Sequence, residues 1–264
     1  IISERYQGHE RIQLLGYRGS AEVVGTALLT LAVGQLLRFG WTATFLVYTF
    51  CFLVLGLFLL FVPYEKGEVH QHKQAKKEKM TAGQFRFTLL SALVAGVIVL
   101  SNTAINLRVP SLVLYHQIGT AQTASLILSA MQLIGIVAGV SFAPMVGIFK
   151  DRLLTIIGIC FGLSLILIGL SSNIWLLAFS ALFAGFTYSI TLTTIFHTVS
   201  EKIPPHLINQ AVSITVLGCS GGASVTTFIL SLIGHLSQAP LFIFSVLGGI
   251  MMVIAMLSYN ITKE

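Results

Sequence analysis

The chain has 264 residues, 55% of them apolar and only 9% charged, with a mean hydropathy of +0.91. That balance excludes an ordinary water-soluble domain and predicts a protein built for lipid. The formal charge of +6 lends no support to a nucleic-acid partner, because the basic residues sit in the polar connections and read as a topology signal.

Apolar runs fall at 19–38, 42–62, 88–107, 124–149, 153–170, 174–197, 208–234 and 240–259, each near the ~20 residues a helix needs to cross the hydrocarbon core. Backbone N–H and C=O groups cannot be left unpaired in lipid, and none of these runs alternates in polarity over about ten residues as a barrel strand does. The expected fold is therefore an all-α membrane protein, a polytopic bundle of eight transmembrane helices. The spacing divides the chain into a two-span stretch at 1–62, a basic connection at 63–87 and a six-helix unit at 88–264. Eight spans put both ends of the chain on one side. That side receives thirteen of the Lys and Arg residues and the other only Arg38 and Arg108, so both ends and the 63–87 connection are expected in the cytoplasm, the bilayer being the cytoplasmic membrane.

Polar residues inside spans are costly unless they face the bundle interior or water, so their spacing is informative. In the third span Asn102 and Asn106 lie one turn apart, and Gln132 adds a lone amide in the fourth. The sixth carries Thr187, Thr191, Thr194 and Thr198 on one stripe, with Tyr188 beside it. The seventh carries Ser213, Ser220, Ser224 and Thr227. Three small-residue pairs, Gly135/Gly139, Gly158/Gly162 and Gly218/Gly222, have the spacing that lets helices approach closely. Spans three to eight contain no Asp or Glu. Glu22 at the start of the first is the one candidate carboxylate for proton coupling, with Arg18 one turn away as a simple ion-pair partner.

Other chemistry finds little footing. Cys51, Cys160 and Cys219 lie in apolar spans and suit packing, and His70 and His72 lack further ligands, so neither a metal nor a cofactor is expected. The Asn260-Ile261-Thr262 sequon falls on the cytoplasmic side. Gly218-Cys219-Ser220-Gly221 matches the G-x-S-G of intramembrane serine proteases, but His235 is about 22 Å further along the same helix at 1.5 Å per residue, too far for a base that must come within about 3 Å. An enzyme is not expected, and a membrane sensor or scaffold stands as the other alternative.

Three adjacent charges, Lys150, Asp151 and Arg152, interrupt the apolar chain after Gly147. This Gly147-x-x-x-Asp151-Arg152 loop resembles the cytoplasmic G-x-x-x-D-R loop that recurs in each half of major facilitator superfamily transporters. Gly34, Gly40-Trp41 and Phe45-Leu46-Val47-Tyr48 are similar to the family's fifth and sixth spans, and Glu201-Lys202-Ile203-Pro204-Pro205 with Asn209-Gln210-Ala211 to its loop before the eleventh. The resemblance implies that the chain holds spans five to twelve, that four further N-terminal spans partner them, and that a small-molecule substrate crosses by alternating access as a secondary carrier, with protons as coupling ion and efflux favoured over uptake. It implies substrate contacts from Asn102, Asn106, Gln132, Tyr188, Thr191, Ser220 and Ser224 near the midplane, and gating by Gly147, Asp151 and Arg152. Leu29-Thr30-Leu31 stands where the family's drug/proton antiporters carry a Gly-Pro pair, which argues against an antiporter of that kind.

Overall fold

A computed structural model describes residues 23–61, 80–204, 206–237 and 239–263, with Asp151 and 259–263 by backbone alone. Those residues form eight helices: α1 Val23–Phe39, α2 Trp41–Phe61, α3 Ala82–Tyr115, α4 Ala121–Phe149, α5 Leu153–Leu170, α6 Ile174–Lys202, α7 Ile208–Leu236 and α8 Pro240–Lys263. Seven are long and apolar enough to cross a membrane, and the shorter one is the described part of α1. No strand occurs among the described residues.

The helix starts have local causes. Thr81 caps α3 through a reciprocal capping box, its hydroxyl taking the Gln84 N–H while the Gln84 side chain takes the Thr81 N–H. This moves the start of α3 to Ala82, inside the 63–87 stretch expected as a connection. Thr120 with Thr123 forms the same box on α4, and Asn173 caps α6 through the Leu176 N–H. Pro110 and Pro144 stand inside α3 and α4, and Pro110 has no N–H to give the Asn106 carbonyl.

Tertiary packing is organised as helix pairs. α3 lies parallel to α7, and α4 to α6. α5 runs antiparallel to α8 and also packs on α6. Small residues set the closeness of each pair. A Cβ added at Gly218 would fall on the Ala92 carbonyl, one at Gly222 on the Gly96 carbonyl, and one at Gly96 would stand 2.8 Å from the Gly218 oxygen. In the α5–α8 seam a Cβ at Gly162 would stand 2.8 Å from the Gly248 oxygen, and one at Gly248 2.6 Å from the Gly162 oxygen. Gly185 lies against Met131, and Gly135 faces Ser189 at 2.9 Å. Gly139, read from sequence as a close-approach position, meets nothing within 4 Å. In lipid the apolar drive between helices is weak, so such backbone approaches, which maximise dispersion, do most of the holding. The core they surround includes Ile98, Ile105, Leu112, Met131, Phe161, Leu165, Ile168 and Phe244.

The two N-terminal helices differ. α2 is exposed along its length, its first half wound as a 3-10 helix from Trp41 to Thr49. α1 docks on α4. Gly34 sits on Ser125, Ala27 is buried, and the Gln132 Nε2 donates to the Thr30 hydroxyl at 3.2 Å.

Candidate functional site

The polar residues of the spans divide into those whose hydroxyls are spent inside the helix and those left open. On α6 the threonine stripe turns inward. Thr187, Thr191 and Thr194 are buried, and their hydroxyls donate to the carbonyls of Phe183, Thr187 and Ile190 at 2.7–2.8 Å. Thr198 donates to the Thr194 carbonyl in the same way. Tyr188 packs half-buried on the core, its ring 6.0 Å from that of Phe161.

On α7 the hydroxyl stripe turns outward. Its opposite face is pressed on α3 through Gly218 and Gly222, which leaves Ser213, Ser220, Ser224 and Thr227 exposed, with Leu217 and Phe228 beside them. Ser231 extends the exposed row by one turn, at the same i, i+4 spacing from Thr227 that marks the row in sequence. Ser213 donates to the Asn209 carbonyl at 2.8 Å and Ser224 to the Ser220 carbonyl at 2.9 Å. A serine bonded back to the helix has used its proton but keeps acceptor lone pairs, so this face accepts hydrogen bonds more readily than it donates them.

Asn102 and Asn106 on α3 are half-buried. The Asn106 Nδ2 donates to the Asn102 backbone carbonyl at 2.9 Å, while the Asn102 carboxamide oxygen is buried with no hydrogen-bond partner among the described residues. An orphan acceptor of this kind costs about 1–3 kcal/mol unless something donates to it. Gln132, expected as a substrate contact, is engaged with Thr30 across the α1–α4 seam.

The charged turn follows α4. Lys150 closes that helix at φ +45°, a conformation that side chains seldom adopt, and Lys150–Arg152 forms one turn of 3-10 helix before α5. Gly147, Lys150 and Arg152 are exposed, whereas Leu153 immediately after is buried. The turn is therefore pinned on one side by core packing and exposed on the other. The Asp151 side chain, Glu22 and the His70/His72 pair lie outside the described residues. His197, near the same end of the bundle, has Glu201 one turn on, with Nδ1 3.5 Å from the carboxylate. Ser220 and His235 share one unbroken helix, so the separation that argued against a serine protease stands. No three metal-binding side chains come together among the described residues.

The model of the Major Facilitator Superfamily matches residues 1–227. The chain belongs to that superfamily. Comparison with curated proteins and with solved structures gave no match. As a major facilitator, it is a multi-pass membrane transporter of the kind that moves small molecules across a bilayer. Arg108, which sequence reading treated only as a topology marker, is half-buried on α3 and reaches α7, where its Nη2 lies 3.5 Å from the Leu230 carbonyl.

Proposed function

We propose that this major facilitator carries a small polar solute, rich in N–H or O–H donors, by alternating access, and that the open face of α7 lines its path. The observation that carries this reading is the exposed row Ser213, Ser220, Ser224, Thr227 and Ser231 on a helix otherwise fit for lipid. A row of hydroxyls facing hydrocarbon would gain nothing, whereas one facing a wet path offers a ladder of acceptors. Asn102 adds an unspent carboxamide oxygen, and Asn106 a carbonyl that Pro110 leaves without its helical donor. Thr191 and Tyr188 support the path from behind by fixing α6. The 1–62 stretch belongs to the first half of the carrier and 88–264 to the second, and α1 on α4 is the seam between them, with Thr30 and Gln132 as its polar link. Gly147, Asp151 and Arg152 form the cytoplasmic gate turn. Glu22 is the candidate proton carrier, and both ends of the chain face the cytoplasm.

The test is chemical access in the full chain, with Cys51, Cys160 and Cys219 replaced. Single cysteines at Ser220 and Ser224 react with a charged methanethiosulfonate in intact membranes, while one at Leu163, an exposed apolar residue of α5, does not. A cysteine at Gln117 reacts only from outside the cell. Unreactive thiols at both 220 and 224 would place that face in lipid and refute the reading.

A further inference from the structure

Among the described residues, a cation at the helix ends opposite the Lys150–Arg152 turn has no anion beside it. Among the described residues the Arg108 guanidinium has a single hydrogen bond, to the Leu230 carbonyl, and 3.5 Å is the outer edge of such a bond. A guanidinium carries five N–H donors and does not lose its charge in proteins. Arg108 lies seven residues before Tyr115, the end of α3, and Leu230 six before the end of α7, so the charge sits roughly 9–10 Å inside the helix ends at 1.5 Å per residue. At that depth a cation needs a partner. The described carboxylates do not supply one. Asp151 stands between α4 and α5 and Glu201 in the last turn of α6, which in chain order is the other end of the bundle.

Beside Arg108 is a cavity of about 410 Å³, within the usual range for small-ligand sites. Ser111 and Tyr115 bring two exposed hydroxyls to it from α3. Ile243 and Phe244 form an apolar wall from the first turns of α8, and the positive end of that helix dipole lies at Pro240. We propose that this cavity binds an anionic group, a phosphate or carboxylate, held by Arg108 and the Ser111 and Tyr115 hydroxyls, with the carbon part of the ligand against Ile243 and Phe244. The site is separate from the α7 hydroxyl face and from Asn102, which is six residues away and about 120° around α3, and it does not depend on which solute is carried.

The phosphate could come from solution or from a lipid headgroup, and one experiment distinguishes them. The full protein is reconstituted in vesicles of phosphatidylcholine alone or with phosphatidylglycerol added, and phenylglyoxal modification of each arginine is followed by peptide mass spectrometry. Inorganic phosphate is expected to slow modification of Arg108 severalfold in the zwitterionic vesicles while leaving Arg38, exposed at the same end, unchanged. Protection that appears only with phosphatidylglycerol assigns the site to a headgroup. In either case Ser111→Ala/Tyr115→Phe weakens the protection. An Arg108 rate that neither anion changes, or protection undiminished in the double variant, overturns the proposal.

Discussion

The reciprocal glycine contact between α5 and α8 gives a prediction whose sign is set by helix packing. At the α5–α8 crossing, Gly162 and Gly248 face each other reciprocally, with built Cβ atoms 2.8 and 2.6 Å from the opposing carbonyl oxygens. Carbon and carbonyl oxygen rest comfortably at about 3.3 Å or more, so either alanine must push the helices apart by roughly 0.5–0.7 Å. A gap of 0.5–1 Å forfeits about a quarter to a half of each affected dispersion contact along the seam. Overpacking of this kind costs about 1–3 kcal/mol, against at most about 1 kcal/mol gained from replacing a helical glycine. Gly162→Ala is therefore expected to destabilise by about 1–2 kcal/mol, or a Tm lower by roughly 2–8 °C at about 2–4 °C per kcal/mol. Gly248→Ala should do the same. The double variant should cost less than the sum, because the first substitution has already opened the seam. Gly139→Ala, where a Cβ meets nothing within 4 Å, should instead be neutral or raise Tm by a degree or more. The assay is thermal unfolding in detergent followed by size-exclusion fluorescence. If Gly162→Ala and Gly139→Ala move Tm in the same direction, the packing argument fails.

Two further outcomes follow from the seam and the charged turn. A double-mutant cycle with Thr30→Val and Gln132→Leu should return a coupling of about 0.6 kcal/mol, with an upper bound near 1.7, the range for hydrogen bonds between membrane helices, and additive effects in thermal unfolding would show that the bond is not made. The gate proposed for the turn predicts that Asp151→Asn cuts solute flux per molecule about tenfold or more while Asp151→Glu preserves it, because a charge-assisted contact made in one access state and worth roughly 1.5–3 kcal/mol would shift a balanced two-state equilibrium by that much; unchanged flux in Asp151→Asn reduces the turn to a topology anchor.

The existence of the helices was legible because hydropathy is a local property and the chain supplies long uninterrupted apolar runs. The start of α3 was legible too, in Thr81 and Gln84 three residues apart, but a basic connection that ends in polar residues disguised it. What periodicity could not supply was the direction a stripe faces. The Thr187–Thr198 row and the Ser213–Thr227 row look alike in sequence, yet one is largely buried and the other exposed. A hydroxyl that bonds back to its own helix can be buried at little cost, so its presence does not mark a wet surface. Direction was decided instead by the glycines on the far side of α7, whose partners on α3, Ala92 and Gly96, are ordinary small residues until the two helices are brought together. Gln132 was legible as a polar residue in a span but not as a partner of Thr30, 102 residues earlier. Arg108 was counted for topology because a lone basic residue carries no spacing pattern.

The distribution of charge within α3 to α8 has an electrical consequence. Arg108 is the one Lys, Arg, Asp or Glu more than a turn and a half from an end of these six helices, and it lies near one end of α3. A membrane potential does work only on charges that change depth, about 2.3 kcal/mol per elementary charge per 100 mV. Rearranging these helices displaces almost no fixed charge through that field, so the unloaded six-helix unit should be nearly blind to voltage. Any steep dependence of flux on membrane potential would then report the valence of whatever travels with it, solute and accompanying ion together.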